Sequence, residues 1–396
     1  MAAAKGHIKL NLQSRSGSFI EPRLGQWKKT RAGTLNFSQK SRGGVRFRAI
    51  RNQKKQISDR PVVINGSTAS IRSSSDEEGI EGKKNGIRVA YQGIPGAFSE
   101  AAAIMVHPGC SGVPCKAYED AIWAVESRRA DRAILPVEGT LEGNVVRNYD
   151  LLLHHSLHVV DEIQLFVNYC LLAAPGVRKE DLRRIISHPM ALAHCSHGLA
   201  KLGIGAEVTR EAVEDTAGAA ESVSSGGLQD TAAIASCRAA GIYGLDVLAR
   251  GVQDEPWNVT RFLVLARTPD VWSETGVEPE KGERNREGTR RAWKTSIVIA
   301  HEGGLDVLMK VLSVFNKHSI NLTKLEVKPR SSKALRVLDV NGGGTVRQFE
   351  FVFYIDFEAS MANPNAREAL DEVRGFATFV RVLGSYLSDS KIHSLD

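Results

Sequence analysis

Between Ile87 and Arg267 the chain switches repeatedly between two hydrophobic periods, and this switching restricts the fold more than any other feature. The run "IRVAYQG" (87–93) is an apolar strand ending in glycine, and "SEAAAIMV" after it has helical spacing. "RAILPVEG" (132–139), the long β-type run "HVVDEIQLFVNYCLLAAPG" (158–176), "RRIISHP" (183–189), "TAAIAS" (231–236) and "FLVLAR" (262–267) read as further strands. "DTAGAAESVSS" (215–225) reads as a helix capped by Asp215. Strands alternating with helices predict an α/β fold on mostly parallel sheets, which gather ligand groups at the carboxyl ends of their strands.

A charged, turn-rich stretch, "SETGVEPEKGERNREGTRR" (273–291), separates this region from a second one. There the order is strand "TSIVIA", helix "LDVLMKVLSVFNKH", strand "INLTKLEVKP", a Gly-rich hairpin around "NGGG" (341–344), strand "FEFVFYIDF", helix "NPNAREALDEVRGF" and strand "FVRVLGSY". That is βαββαβ, the ferredoxin-like order. Leu305, Leu308, Val311, Leu312 and Phe315 recur at helical spacing and are expected to cover one face of its sheet.

The overall basic charge is misleading. Residues 1–60 hold 15 Lys and Arg against Glu21 and Asp59, so a whole-chain net of +7 leaves the remainder at −6. That balance gives no reason to expect nucleic-acid binding by the folded part. The leader is rich in Arg and Ser, nearly free of acids and without the apolar core of a secretory signal, the composition of an organelle transit peptide. Residues 73–86, "SSSDEEGIEGKKNG", read as a polar linker. No apolar run approaches the length that spans a bilayer, so no membrane partner is expected. Five scattered cysteines show no zinc spacing, and no metal is expected. Asn258-Val259-Thr260 fits a glycosylation tripeptide, but the sequence offers no secretory route to use it.

Five polar clusters stand at strand ends or helix starts. They are Tyr91-Gln92-Gly93 running on to Ser99, Pro136-Val137-Glu138-Gly139-Thr140, Ser187-His188-Pro189, Asp215-Thr216-Ala217-Gly218 and Thr260-Arg261-Phe262. Each has a plain structural reading beside the functional one: Ser99 as a helix cap, His188 as a hydrogen-bonder near a proline, the turns as ordinary turns. No G-x-S-x-G elbow, dinucleotide fingerprint or phosphate loop occurs. A cleft of hydroxyls and amides with one Arg suits an anionic small molecule better than a nucleotide.

Taken in order, "AYQGIPGAFSEAAA", "LPVEGTLEGNVVRNYDLL", "SHPMALAHC", "DTAGAA", "DTAAIAS" and "NVTRFLVLAR" resemble the prephenate dehydratases. "INLTKLEVKPR" and "YIDFEASMANPNAREAL", with the basic leader, resemble the plastidic plant branch, the arogenate/prephenate dehydratases. The resemblance covers about residues 87–388. It implies a leader and linker (1–86), a two-lobed catalytic domain like type 2 periplasmic binding proteins (87–268), a linker (269–292) and an ACT domain (293–388) that binds phenylalanine at a subunit interface.

The implied reaction is a decarboxylating dehydration of arogenate or prephenate, in the plastid stroma and without a cofactor, in a homodimer or tetramer. Thr260 is then the essential hydroxyl, Arg261 holds a carboxylate or orients the loop, and Thr140 and Ser99 complete the catalytic set. Gln92, Gly93, Glu138, Gly139, His188, Thr216 and Phe262 are expected to bind substrate. The phenylalanine site is expected at Gly304, Leu305, Asp306, Val307, Leu308, Asn321, Leu322, Thr323 and Glu326. Two departures stand out. Glu138-Gly139-Thr140 replaces the family's Glu-Asn-Ser, and Gly304-Leu305-Asp306 and Glu326-Val327-Lys328-Pro329 depart from the usual ACT turns. The loss of that Asn leaves open a second reading, a non-catalytic amino-acid-binding or hetero-oligomerising regulator.

Overall fold

The computed structural model describes residues 86–269, 292–302, 306–329, 335–338, 344–347, 349, 351–389 and 391–395. The leader, most of both expected linkers, Gly304, Leu305 and the tip of the Gly-rich hairpin lie outside the described residues.

Two sheets form two lobes. The first runs Ser111–Cys115, Arg88–Gln92, Arg132–Gly139, Val259–Ala266, His158–Phe166 and Ile392–His393 in spatial order. The second runs Asp246–Arg250, Cys170–Ala173, Thr231–Ala235, Arg184–Ser187 and Thr209–Ala212. Both sheets are mixed rather than mostly parallel. Arg88–Gln92 is parallel to both neighbours, whereas Val259–Ala266 is antiparallel to both of its own. In the second lobe Arg184–Ser187 is parallel to its neighbours and Cys170–Ala173 antiparallel to its own.

The cause is a double crossing. The chain leaves the first lobe after Phe166, enters the second at Cys170, and returns from Arg250 to Val259 in the opposite sense. The β-run 158–176, read as one strand in the sequence, is therefore two strands in different sheets, with Val167-Asn168-Tyr169 between them.

Strand alternation decides what each face buries. On Val259–Ala266, Phe262, Val264 and Ala266 pack with Tyr91, Ala102 and Ile163 under the helix Phe98–Val106. Leu263 and Leu265 face the other way and pack with Leu152 and Leu153 of the helix Val146–His154. That second core also takes in Val298, Tyr354, Leu383 and Tyr386 from the C-terminal region.

The C-terminal sheet has the order Leu322–Pro329, Phe351–Phe357, Trp293–His301, Phe379–Leu387 and is antiparallel throughout. The helices Asp306–Lys317 and Pro364–Arg374 complete the expected βαββαβ order. They cover the sheet face carrying Ile297, Ile299, Phe353 and Ile355. The buried stripe of the first helix is Val307, Val311, Val314 and Phe315, with Leu308 and Leu312 at its margin. The opposite sheet face lies on the first lobe. Arg381 donates there to the carbonyls of Leu152 (2.9 Å) and His155 (2.8 Å), satisfying groups that the end of a helix leaves open. Past the sheet, Ile392–His393 pairs with Gln164 and Leu165, adding a strand to the first lobe.

Candidate active site

A cavity of about 550 Å³ opens between the two lobes at the crossing strands. From the first lobe Gln92, Gly93, Ser99, Gly139, Thr260 and Phe262 line it, and from the second His188, Met190, His194 and Thr216. Val167, Tyr169 and Asn258 line it from the crossing segments. A cavity at strand carboxyl ends between lobes is the place where a small polar ligand fits an α/β protein.

Local sequence explains the walls. Gly93 ends its strand at φ +106°, where a side chain is strained, and a Cβ would meet that of Ala97 at 2.9 Å. Gly96, at φ +94°, lets Ala239 of the second lobe approach. Glu100 accepts from the Gly96 amide (2.7 Å) and from Arg238 Nε (2.9 Å), so it joins the lobes on this side. At the mouth, His194 Nε2 and Glu142 Oε1 lie 2.6 Å apart and join them again.

The hydroxyl-bearing residues divide sharply. Thr260 lines the cavity, and among the described residues its hydroxyl has no hydrogen-bond partner within the protein. Thr140, expected beside it, does not line this cavity. Its Oγ1 donates to the Trp257 carbonyl (2.6 Å) and accepts from the Val259 amide (3.0 Å), pinning two loops together. Ser99 does not cap its helix, since the N-cap is Ala97. Ser99 lines the cavity beside Tyr118, whose hydroxyl burial pushes up to about 12.

His188 is the N-cap of the short helix Pro189–His194, and its Nδ1 accepts from the Met190 amide at 3.2 Å. Burial lowers its pKa below 6.5, with Asp215 opposing. Above about pH 6.5 the imidazole is therefore neutral, and with Nδ1 accepting from Met190 its proton is on Nε2. Asp215 caps the helix Thr216–Ser225 by accepting from Gly218 N at 2.6 Å, as its sequence position predicts.

Arg261 and Glu138 are turned away from the cleft. Arg261 is buried on the face covered by the C-terminal sheet, bonded to Glu162, Asp356, Glu138 and Tyr386. Burial works against its charge, but the Tyr386 hydroxyl and the Asp356 and Glu162 carboxylates more than offset this and hold the guanidinium charged. Glu138 also pairs with Lys324. The expected carboxylate holder thus holds the protein's own carboxylates. Strand alternation alone separates Thr260 from its neighbour.

Among the described residues, the Lys and Arg side chains that line the cleft are Lys116 and Arg147, the latter paired with Glu119 at 2.9 Å. Neither was singled out in the sequence. Arg147 sits inside a quoted motif, while Lys116 follows a strand of no distinctive composition. Tyr169 and Asn258 also line the cavity, and Tyr169 meets Phe98 edge-on with centroids 5.6 Å apart.

In the expected phenylalanine site, Val307 is buried in the C-terminal core, and Asn321 Nδ2 donates to Glu358 at 2.8 Å. Asp306 lies 3.8 Å from Lys310, Leu308 and Leu322 pack partly on the same core, and Thr323 lines a separate cavity. Glu326 faces the catalytic region, where Asn144 donates to it.

The fold and cleft define a two-lobed α/β protein with, among the described residues, an unpartnered hydroxyl at the crossing and a βαββαβ domain packed on its first lobe. A family model described as prephenate dehydratase matches residues 89–270. The chain is 55% identical over 303 residues to arogenate dehydratase/prephenate dehydratase 6, chloroplastic, of Arabidopsis thaliana, covering 76% of this chain and 69% of that one. It belongs to the arogenate/prephenate dehydratase family. A prephenate dehydratase from Arthrobacter aurescens, solved in complex with L-Phe, superposes with a TM-score of 0.61 at 26% identity, covering 76% of this chain and 90% of that one. A structure titled GqqA, a novel type of quorum quenching acylase, superposes with a TM-score of 0.62 at 31% identity, covering 76% and 98%.

Proposed function

We propose that this chain is a plastidic carbon–oxygen lyase that turns arogenate into phenylalanine, with prephenate as its lesser substrate and L-phenylalanine as its effector, working as a homo-oligomer. In the reaction the bond from the ring to the hydroxyl breaks, and so does the bond from the ring to its carboxylate. The electron pair of the second bond enters the ring as carbon dioxide leaves, and the departing hydroxide takes up a proton to become water. Aromatisation drives the step. The protein has to fix the geometry and stabilise the leaving oxygen.

The observation that carries this reading is the Thr260 hydroxyl, which lines the cleft and has no hydrogen-bond partner among the described residues. A threonine hydroxyl is a weak acid, so its role is to donate a hydrogen bond to the departing oxygen. Lys116 supplies positive charge for a substrate carboxylate, Arg147 can add to it only by leaving Glu119, 2.9 Å away on the same wall, and His188, neutral above about pH 6.5, offers its Nε2–H as a further donor. Arogenate is favoured because chloroplastic plant relatives include ones named arogenate dehydratase alone.

The test is a steady-state assay of the purified protein with arogenate and prephenate supplied separately. A higher kcat/KM on arogenate is expected. Turnover of neither would sink the enzyme reading and leave the regulator, which the absence of Asn at 139 favours.

A further inference from the structure

On the face of the Thr260 strand turned away from the cleft lies an ionic cluster that the dehydration chemistry does not use; Arg261, Glu162 and Asp356 are buried at its centre, and Glu138 and Lys294 are part-exposed at the edge of a second cavity of about 390 Å³. The catalytic region contributes Arg261, Glu138 and Glu162, a net of one negative charge; the C-terminal sheet contributes Lys294, Lys324 and Asp356, a net of one positive charge. Each side alone would leave an unbalanced charge in a largely buried site, which is costly, and together they are neutral.

Arg261 is the centre. It donates to Glu162 (2.7 Å), Asp356 (2.8 Å), Tyr386 Oη (2.9 Å) and Glu138 (3.2 Å), so its donors are committed on one side of the strand. Asp356 and Tyr386 are themselves fixed by Ser296, at 2.6 and 2.7 Å. The ladder between the two strands shifts register at this spot: Arg261 pairs with Glu138, but Phe262 pairs with Pro136. Such a bulge re-aims the side chains beside it. The next pair is Thr260 with Gly139, both facing the cleft. The cluster therefore grips both strands at the bulge, one residue from the reacting hydroxyl.

We propose that Arg261 is a positioning residue rather than a substrate ligand, and that Asp356 and Tyr386 hold it so that the C-terminal sheet sets the aim of the Thr260 hydroxyl. The kinetic consequence rests on the dehydratase reading; the structural one does not.

The experiment uses the full chain with Tyr386→Phe, which removes one hydroxyl, and Asp356→Asn, which removes one charge at constant shape. Each is made in the parent and in Thr260→Ala, and hydrogen exchange is followed over 138–141 and 257–262. In the parent, kcat is expected to fall about tenfold with KM little changed, the size of one lost hydrogen bond to a charged group. In the Thr260→Ala background the same change should have almost no further effect on kcat, because the group being aimed is gone. Exchange at the two segments should quicken while that of 170–250 stays the same. Equal losses in both backgrounds, or unaltered exchange at the two segments, would overturn the proposal. Tyr386→Phe decides the matter if Asp356→Asn does not fold. A parent that turns over neither substrate refutes the dehydratase reading, and the exchange result still decides the clamp.

Discussion

Glu142 Oε1 stands 2.6 Å from His194 Nε2, tying a loop of the first lobe to a helix of the second across the mouth of the cleft. Glu142 is nearly half exposed, so the pair is screened and its contribution is small, up to about 1 kcal/mol. Lost, it would leave the two lobes less firmly joined at the mouth. Glu142→Gln is expected to raise KM up to about fivefold with kcat nearly unchanged, the factor that such an energy allows. Steady-state kinetics in low and high salt check this, and a fall in kcat at constant KM would assign the pair a role in the chemical step instead.

Thr260 offers the sharper test. Its hydroxyl faces the cleft, and among the described residues it has no protein partner, so removing it disturbs little packing. Thr260→Ala is expected to lower kcat by roughly two orders of magnitude, as loss of one donor to developing negative charge does elsewhere. Thr260→Ser should keep most of the activity. Turnover is measured alongside thermal unfolding, and a folded Ala variant with parental turnover would remove Thr260 from the mechanism.

These residues also show how far sequence alone reaches. The βαββαβ order, the Asp215 cap and the cleft placement of Thr260, Phe262 and Gly93 follow from period, capping chemistry and motif order. Arg261 does not, although strand alternation implies that it and Thr260 face opposite sides. What lay on the other side was a sheet a hundred residues away in sequence, whose docking no local pattern encodes. Thr140 misleads for a similar reason. Its hydroxyl answers the Trp257 carbonyl and the Val259 amide, two groups brought to it only by the return crossing. The same crossing split the run 158–176 between sheets, because continuous β-type residues do not mark where a strand changes partner.

His188 carries a pH signature. Burial lowers its pKa in the folded chain below the 6.5 of an ordinary histidine, so the unfolded chain binds more protons in the window between the two values. Stability therefore rises with pH through that window and is flat above it. As pH falls below about 6.5 stability is lost, until His188 protonates in the folded state as well. Protonation also ends Nδ1 acceptance from the Met190 amide. Denaturant unfolding of the parent and of His188→Gln between pH 7.5 and 5 is expected to show a shallower slope in the variant. Identical slopes would mean that His188 titrates alike in both states.

Gly139 tests the departure that most threatens the enzyme reading. Its backbone is not in the left-handed region, and a Cβ there would meet nothing closer than Glu142 at 3.8 Å, so a larger side chain enters without strain. Paired with Thr260 across the ladder, residue 139 sits beside the hydroxyl at the cleft wall. An Asn amide there regains a hydrogen bond to a charged substrate group, about 1.5–3 kcal/mol when well placed. Thr140→Ser keeps the hydroxyl that bonds Trp257 and Val259 and gives up only a methyl group. The double variant Gly139→Asn, Thr140→Ser is thus expected to raise kcat/KM on arogenate at least several-fold, with unfolding little changed. Equal activity in parent and variant would mean that neighbouring groups in the cleft already supply the contact. Inactivity of both on either substrate would hand the chain to the regulator reading.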